Sequence, residues 1–424
     1  MGIRTKLNPM GGTSMGSSIG KIEKVSASDN TTWVITENGD LYGCGRNDYG
    51  QQGSGDTNNV TIFTKRASGV ADVQATNFTT WYLTTSGDLY GCGYNLYGQQ
   101  GNGNSTNVLE FTKRASNVSK FFGGDSTTWY MNTSNELYGC GYNDYGQQGS
   151  GDTTNVKTFT KRASNVSKFS ASGVTTWYSI RSGSTLYLYG CGWNNHGQQG
   201  RGDTNNVTTF AQRMYAIEDV FTCSGSTTWV FGNGSSLFGC GWNTYGQQGS
   251  GGTSDALQFF ERVAAPYAKA VSCSGYTTWY INRTNELYGC GYNNYGQQGS
   301  GTSGSGTNVL TFTKRMDDIL KIKCTTDSTW CVKWEGDSYC LYGCGNNSLG
   351  QQGSGTSGSG TQVTTFTKRA NNLKSSDSFV CSPYTTWYID DNKDLYGCGY
   401  NYYGQQGNGT SGSGTQVSTF TKRN

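Results

Sequence analysis

Fourteen cysteines and a single histidine, His196, are the residues through which this chain could do metal, redox or nucleophilic chemistry. One imidazole excludes multi-histidine metal sites and haem pairs by counting alone. Eight cysteines stand in the string G-C-G, at Cys44, Cys92, Cys140, Cys191, Cys240, Cys290, Cys344 and Cys398. A thiol repeated at one equivalent position reads as a compact buried hydrophobe rather than a reactive group. Cys223, Cys273, Cys324 and Cys381 replace small residues of other copies, such as Ala27 and Ala75, and read the same way. No C-x-x-C is present, so a zinc knuckle has no support. Cys331 and Cys340 occur in one copy only, flanking Glu335-Gly336. A two-residue turn there puts them opposite on a hairpin, as a cross-strand disulfide or as two thiols. With no nucleophile–base pair, phosphate loop or clustered carboxylates, the expectation is a non-enzyme without cofactor or metal.

The cations form a second pattern. An F-x-x-R tetrad recurs, placing Arg66, Arg114, Arg162, Arg213, Arg262, Arg315, Arg369 and Arg423 at one equivalent position, and six copies add a lysine. One reading is a basic ring that grips a polyanion or acidic partner. The other is solvated or blade-bridging cations, supported by interleaved acids such as Asp40 and Asp88. The tripeptide Arg201-Gly202-Asp203 is the recurrent S-G-D-T loop with one substitution, and carries no integrin reading.

What positions these residues is repetition. The G-C-G cysteines are 48, 48, 51, 49, 50, 54 and 54 residues apart. Each copy is preceded by T-T-W or S-T-W, at Trp33, Trp81, Trp129, Trp177, Trp229, Trp279, Trp330 and Trp387, and followed by G-Q-Q-G. A repeat of this period must be recognised before any local assignment. Within a copy, short β-branched and aromatic segments alternate with Gly, Asn, Ser and Asp clusters, which is strand and turn chemistry. Four short strands in about 50 residues make one propeller blade, which buries its faces only by stacking on others. The expected cysteine and tryptophan positions are therefore structural core. The flanking glycines mark a bend or close backbone approach near the narrow centre of the ring.

The element L-Y-G-C-G-Y-N-x-Y-G-Q-Q-G resembles the repeat of the regulator of chromosome condensation family, roughly V-Y-S-W-G-x-N-x-x-G-Q-L-G. The strand V-S-C-S-G-Y-T-T-W-Y-I is likewise similar to that family's V-A-A-G-x-x-H-T-L-A-L. The resemblance implies an all-β closed propeller, usually of seven blades. Eight complete copies predict eight here, over residues 21–424, after a flexible N-terminal arm at 1–20. The last strand, Val417–Arg423, is expected beside the first repeat's strands, closing the ring. Two departures are coordinated: the family's Trp is Cys here, and its Leu is Trp. That predicts a volume exchange between neighbouring strands, for example Cys92 with Trp81.

Composition bounds the function. Only 14% of residues are charged, against about 25% in ordinary domains, and net charge is +3. No apolar run long enough to span a bilayer and no secretory signal pattern is visible, so localisation is open. Asymmetry enters in copies six to eight, which carry the longer loop G-T-S-G-S-G-T. Thr302, Ser303 and Ser305, Thr356, Ser357 and Ser359, and Thr410, Ser411 and Ser413 are the candidate partner contacts, beside the arm. Three functions follow. The first is a structural or protein-interaction component of a virion, tail or surface layer. The second is a free adaptor or glycan-binding disc using Tyr97, Tyr145, Tyr245 and Tyr295. The third, implied by the resemblance, is guanine-nucleotide exchange with chromatin docking, which in that family depends on loops and tails outside the repeats.

Overall fold

A computed structural model describes residues 19–265 and 267–424, with backbone alone at 219–223. The arm expected at 1–20 lies outside these residues except for Ile19 and Gly20, as does the Cys223 side chain. Each of the eight copies forms one four-stranded antiparallel sheet whose strand order follows the chain, so one repeat is one blade. In blade one the strands are Ile22–Ala27, Thr31–Thr36, Leu41–Gly45 and Val60–Ala67. The molecule is thus an all-β, eight-bladed closed propeller, and no α-helix occurs among the described residues.

The burial of each strand follows from its place in the blade. First strands line the axis and bond to one another: Gln74 Nε2 donates to Phe121 O at 3.0 Å, and Gly123 N donates to Gln74 Oε1 at 2.9 Å. Second strands are covered on both faces by adjacent blades, and all six residues of Thr31–Thr36 are buried. Fourth strands are outermost, and Val108–Ala115 has no fully buried residue.

The eight tryptophans are completely buried. Trp81 pairs with Gly91 across the sheet, and a Cβ on that glycine would lie 2.5 Å from the indole. The first glycine of G-C-G is therefore vacant space for a ring laid flat across the third strand, not a feature of the narrow centre. Its second glycine takes a left-handed φ, +110° at Gly45, which a Cβ would strain.

Cys92 pairs with Thr80, one register step from Trp81, so the thiol and the indole project from opposite faces of one sheet. This corrects the expected exchange partner. Cys44 instead faces the preceding blade around the ring, sharing a buried cluster with Trp387 and Phe63. Its Sγ contacts Gln405 O at 3.4 Å.

Closure also differs from expectation. Val417–Lys422 pairs with Leu395–Gly399 in its own sheet and not with the first repeat. The ring closes by the contact that joins all neighbours. Ser54 of blade one bridges to Glu110 of blade two, and Asn408 of blade eight bridges to Ile62 of blade one. Because each blade is complete within its repeat, no strand needs to be exchanged across the ends.

The hairpin of blade seven turns at Gly336-Asp337, one residue later than the sequence suggested. Cys331 consequently faces Tyr342, and Cys340 faces Lys333. The two thiols are buried, diagonal and unbridged, with Cys331 Sγ 3.8 Å from Met316 Sδ and Cys340 Sγ 3.5 Å from Ser338 Oγ.

Candidate interaction face

In each blade the turn between strands one and two, and the loop between strands three and four, emerge at the same edge of the sheet. Eight blades therefore bring sixteen connections to one face of the disc. The loop is built by its repeated polar residues. Asn47 Oδ1 accepts from Gln52 N at 2.8 Å and its Nδ2 donates to Asp56 O at 3.0 Å. Gln51 Oε1 accepts from Tyr49 N at 2.9 Å while its Nε2 reaches Asn77 O of the next blade at 3.1 Å. These bonds hold the aromatic residues that follow G-C-G in fixed positions.

Those aromatics touch from blade to blade. Tyr49 meets Tyr94 at 5.0 Å, Tyr97 meets Tyr142 at 4.8 Å, and Tyr145 meets Trp193 at 6.0 Å between ring centroids. His196 lies 5.2 Å from Trp242, with Nδ1 2.8 Å from Asp255 Oδ2, so the lone histidine is a member of the belt. Tyr245 continues to Tyr292 at 4.7 Å. The guanidinium of Arg46 closes the belt from blade eight, 5.1 Å from the Tyr403 ring and 5.5 Å from Tyr49. Blade seven interrupts it, with Asn346 and Leu349 at the aromatic positions. The rings are half-buried, and Leu96 and Tyr402 project beyond them. Sequence reasoning had singled out Tyr97, Tyr145, Tyr245 and Tyr295. It missed Tyr94, Tyr142, Trp193, Trp242 and Tyr292, whose signal was an aromatic directly after G-C-G.

The candidate contacts of copies six to eight sit on the outer rim of this face. Each long loop is internally pinned: Thr307 Oγ1 donates to Gly304 O at 2.7 Å, and Thr415 Oγ1 to Gly412 O at 2.8 Å. The carbonyls of Thr302, Thr356 and Thr410 accept from Asn293, Asn347 and Asn401. Ser305, Ser359, Ser411 and Ser413 are exposed, and Ser303 and Ser357 half-buried. The chain enters at Lys21 beside Asp394 of blade eight, but on the opposite face. The arm's root is thus next to these blades yet across the disc from their loops.

The F-x-x-R arginines do not make an open basic ring. All eight are half-buried, and each Nε is enclosed without a hydrogen-bond partner. Burial pulls the Arg114 guanidinium down from its ordinary value, and it lies near the cysteines of its own and the following blade. The six accompanying lysines are paired with acids: Lys65 with Asp40 and Lys113 with Asp88 at 2.8 Å, Lys422 with Asp394 at 2.6 Å, Lys368 with Glu335 at 3.3 Å, Lys161 with Glu136 and Lys314 with Glu286. The arginines bridge blades, and the lysines are neutralised locally.

Burial pushes the ring thiols well above their ordinary range, as at Cys92 and Cys140. They are accordingly poor nucleophiles. Among the described residues no three His, Cys, Asp or Glu side chains converge as metal ligands, and no helix is long and apolar enough to cross a membrane.

The sequence profile of the regulator of chromosome condensation (RCC1) repeat matches residues 22–51 and 268–297. Those segments run from the first strand through G-C-G to the glutamine pair, and all eight blades share that architecture. The chain is thus an eight-bladed β-propeller that matches the RCC1 repeat in blades one and six. Solved structures are similar to the propeller in fold. Prp20p from Saccharomyces cerevisiae, characterised for binding to Gsp1p and histones, has a TM-score of 0.61 at 17% identity, covering 81% of this chain and 87% of that one. Yeast RCC1 (Prp20) bound by Kap60 gives 0.59 at 15%, covering 80% and 83%. Human WBSCR16 gives 0.58 at 18%, covering 75% and 88%. Comparison with curated protein sequences yields no match.

Proposed function

We propose that this propeller is a non-catalytic protein-interaction component of a larger assembly, a virion, tail or surface layer, and that it docks through its aromatic loop face. A single ring over 21–424 would present that face. The observation that carries the reading is the belt of half-exposed rings running around seven of the eight blades. Aromatic groups held rigidly at a surface give large contact area for little ordering entropy, the property of interface anchors. The uncharged loops around Ser305, Ser359 and Ser413 extend the same rim. Of the neighbours named above, Prp20 binds proteins, which agrees with this class of role, but identities of 15–17% carry the fold alone, so nucleotide exchange is not assigned.

The test is the native mass of the protein from its source, compared with Trp242→Ala and Tyr245→Ala variants. Recovery in particles far above 46 kDa, lost in the variants, is the expected result. A lone monomer in every case would defeat the proposal. A glycan-binding disc is the second reading, favoured by the same rings, and binding to neutral glycans lost in Tyr245→Ala would support it instead.

A further inference from the structure

The loop face is electrostatically one-sided. Its turns and loops contain nine carboxylates, among them Asp29, Asp48, Asp125 and Asp144, against two arginines, Arg46 and Arg201, and no lysine, in a chain whose net charge is +3. Both arginines are already engaged, Arg46 with Asp48 and Arg201 with Asp203, each at 2.9 Å.

Blade one shows what this combination of rings and acids binds. The Arg46 guanidinium lies 5.5 Å from the rings of Tyr49 and Phe78 and 5.1 Å from Tyr403, while Asp48 holds its edge. Blade three repeats the setting without the cation. Asp144 stands where Asp48 stands, but Tyr142 replaces Arg46, and Asp144 makes no ion pair among the described residues. Tyr97, Tyr142 and Tyr145 supply the rings, at 4.8 and 5.8 Å from one another in sequence order. The inner turn leaves these rings open. Phe78 in blade two and Tyr276 in blade six cover the belt at this position, whereas blade three has Ser126.

We infer that the loop face of blades two and three is a docking site for an arginine-bearing protein segment. The guanidinium would lie on Tyr97, Tyr142 and Tyr145, with the exposed Asp144 on the rim side. This rests on the loop face being the docking side, and adds the chemistry of the partner. Three physical features favour arginine over a neutral ligand. The guanidinium stacks on aromatic faces, pairs with carboxylates through its planar fork, and is weakly hydrated. The electrostatic environment agrees: burial and the adjacent Asp144 carboxylate push the Tyr142 phenol up to about 12.

The experiment uses the full chain and a fluorescein-labelled oligo-arginine peptide, with oligo-glutamate and a neutral maltooligosaccharide as alternative probes. Binding is followed by anisotropy at about 0.05 and about 0.5 M NaCl. The arginine peptide is expected to bind, less tightly at high salt, and oligo-glutamate not at all. Tyr142→Arg is the decisive variant, because it installs the internal cation found in blade one and should abolish binding. Asp144→Asn, an exposed change that leaves the fold untouched, should weaken it about tenfold, as should Tyr97→Ala. Arginine-peptide binding unchanged in Tyr142→Arg and Asp144→Asn would overturn the assignment. So would equal binding of oligo-glutamate, or preference for the sugar. If Trp242→Ala releases the protein from its native particle while no arginine peptide binds, the docking face stands and only the cationic partner falls.

Discussion

The exchange of volume between strands can be tested across a blade junction. Cys44 lies fully buried in the cluster containing Trp387 and Phe63, whereas Trp33 of its own blade projects from the opposite face of the sheet. Replacing Cys44 by Trp should overpack the junction between blades eight and one, at a cost of about 2 kcal/mol. Replacing Trp387 by Leu empties part of the same junction and should cost about 3 kcal/mol. Independent effects would sum to about 5 kcal/mol. If the added indole occupies the space that the lost one leaves, the double variant should lose only about 2–3 kcal/mol, a coupling of about 2 kcal/mol. Cys44→Trp combined with Trp33→Leu should instead be additive within about 0.5 kcal/mol, since the sheet itself separates the two sites. Urea denaturation followed by circular dichroism measures all the corners, with slopes checked for constancy. Additivity in the Trp387 cycle, or stronger coupling in the Trp33 cycle, would refute this account of the junction.

Further outcomes are expected. Gly91→Ala should destabilise by about 1–3 kcal/mol, because its Cβ would lie 2.5 Å from Trp81 and 2.7 Å from Gln100 Oε1. Gly252→Ala, with nothing within 4 Å, should move the midpoint by less than about 0.5 kcal/mol. Burial raises the Asp125 carboxyl above its ordinary value, so the folded state holds more protons through that window and stability falls as pH rises across it. Asp125→Asn should therefore stabilise the protein near pH 7 and give no gain near pH 3, checked by thermal unfolding at both. The buried thiols of Cys44, Cys92, Cys331 and Cys340 should resist an aromatic disulfide reagent in native buffer and react after denaturation.

The blade was legible because its signals are local and repeated. T-T-W-Y-I-N and L-Y-G-C-G are strands by residue type alone, and the Asn and Gln of N-x-Y-G-Q-Q-G are loop-forming residues by chemistry. The facing of side chains was not legible. Whether Trp81 opposes Cys92 or Gly91 depends on a register shift of one residue, and one residue inverts the face of every side chain. The same sensitivity moved the blade-seven turn by one position and separated Cys331 from Cys340. The basic ring failed for a related reason: sequence counts the arginines, but cannot weigh their burial at the junctions or the acids that reach the adjoining lysines.

The sequence by itself determined the number of blades, their strands, and the equivalence of eight positions, because periodicity survives in one dimension. Tertiary structure alone decided which blade each tryptophan packs against and how the ring closes. It also gathered tyrosines from separate repeats, about 50 residues apart in the chain, into one belt on the face whose loops hold more aspartates than cations. Those properties depend on distances between blades, and only ring closure sets them.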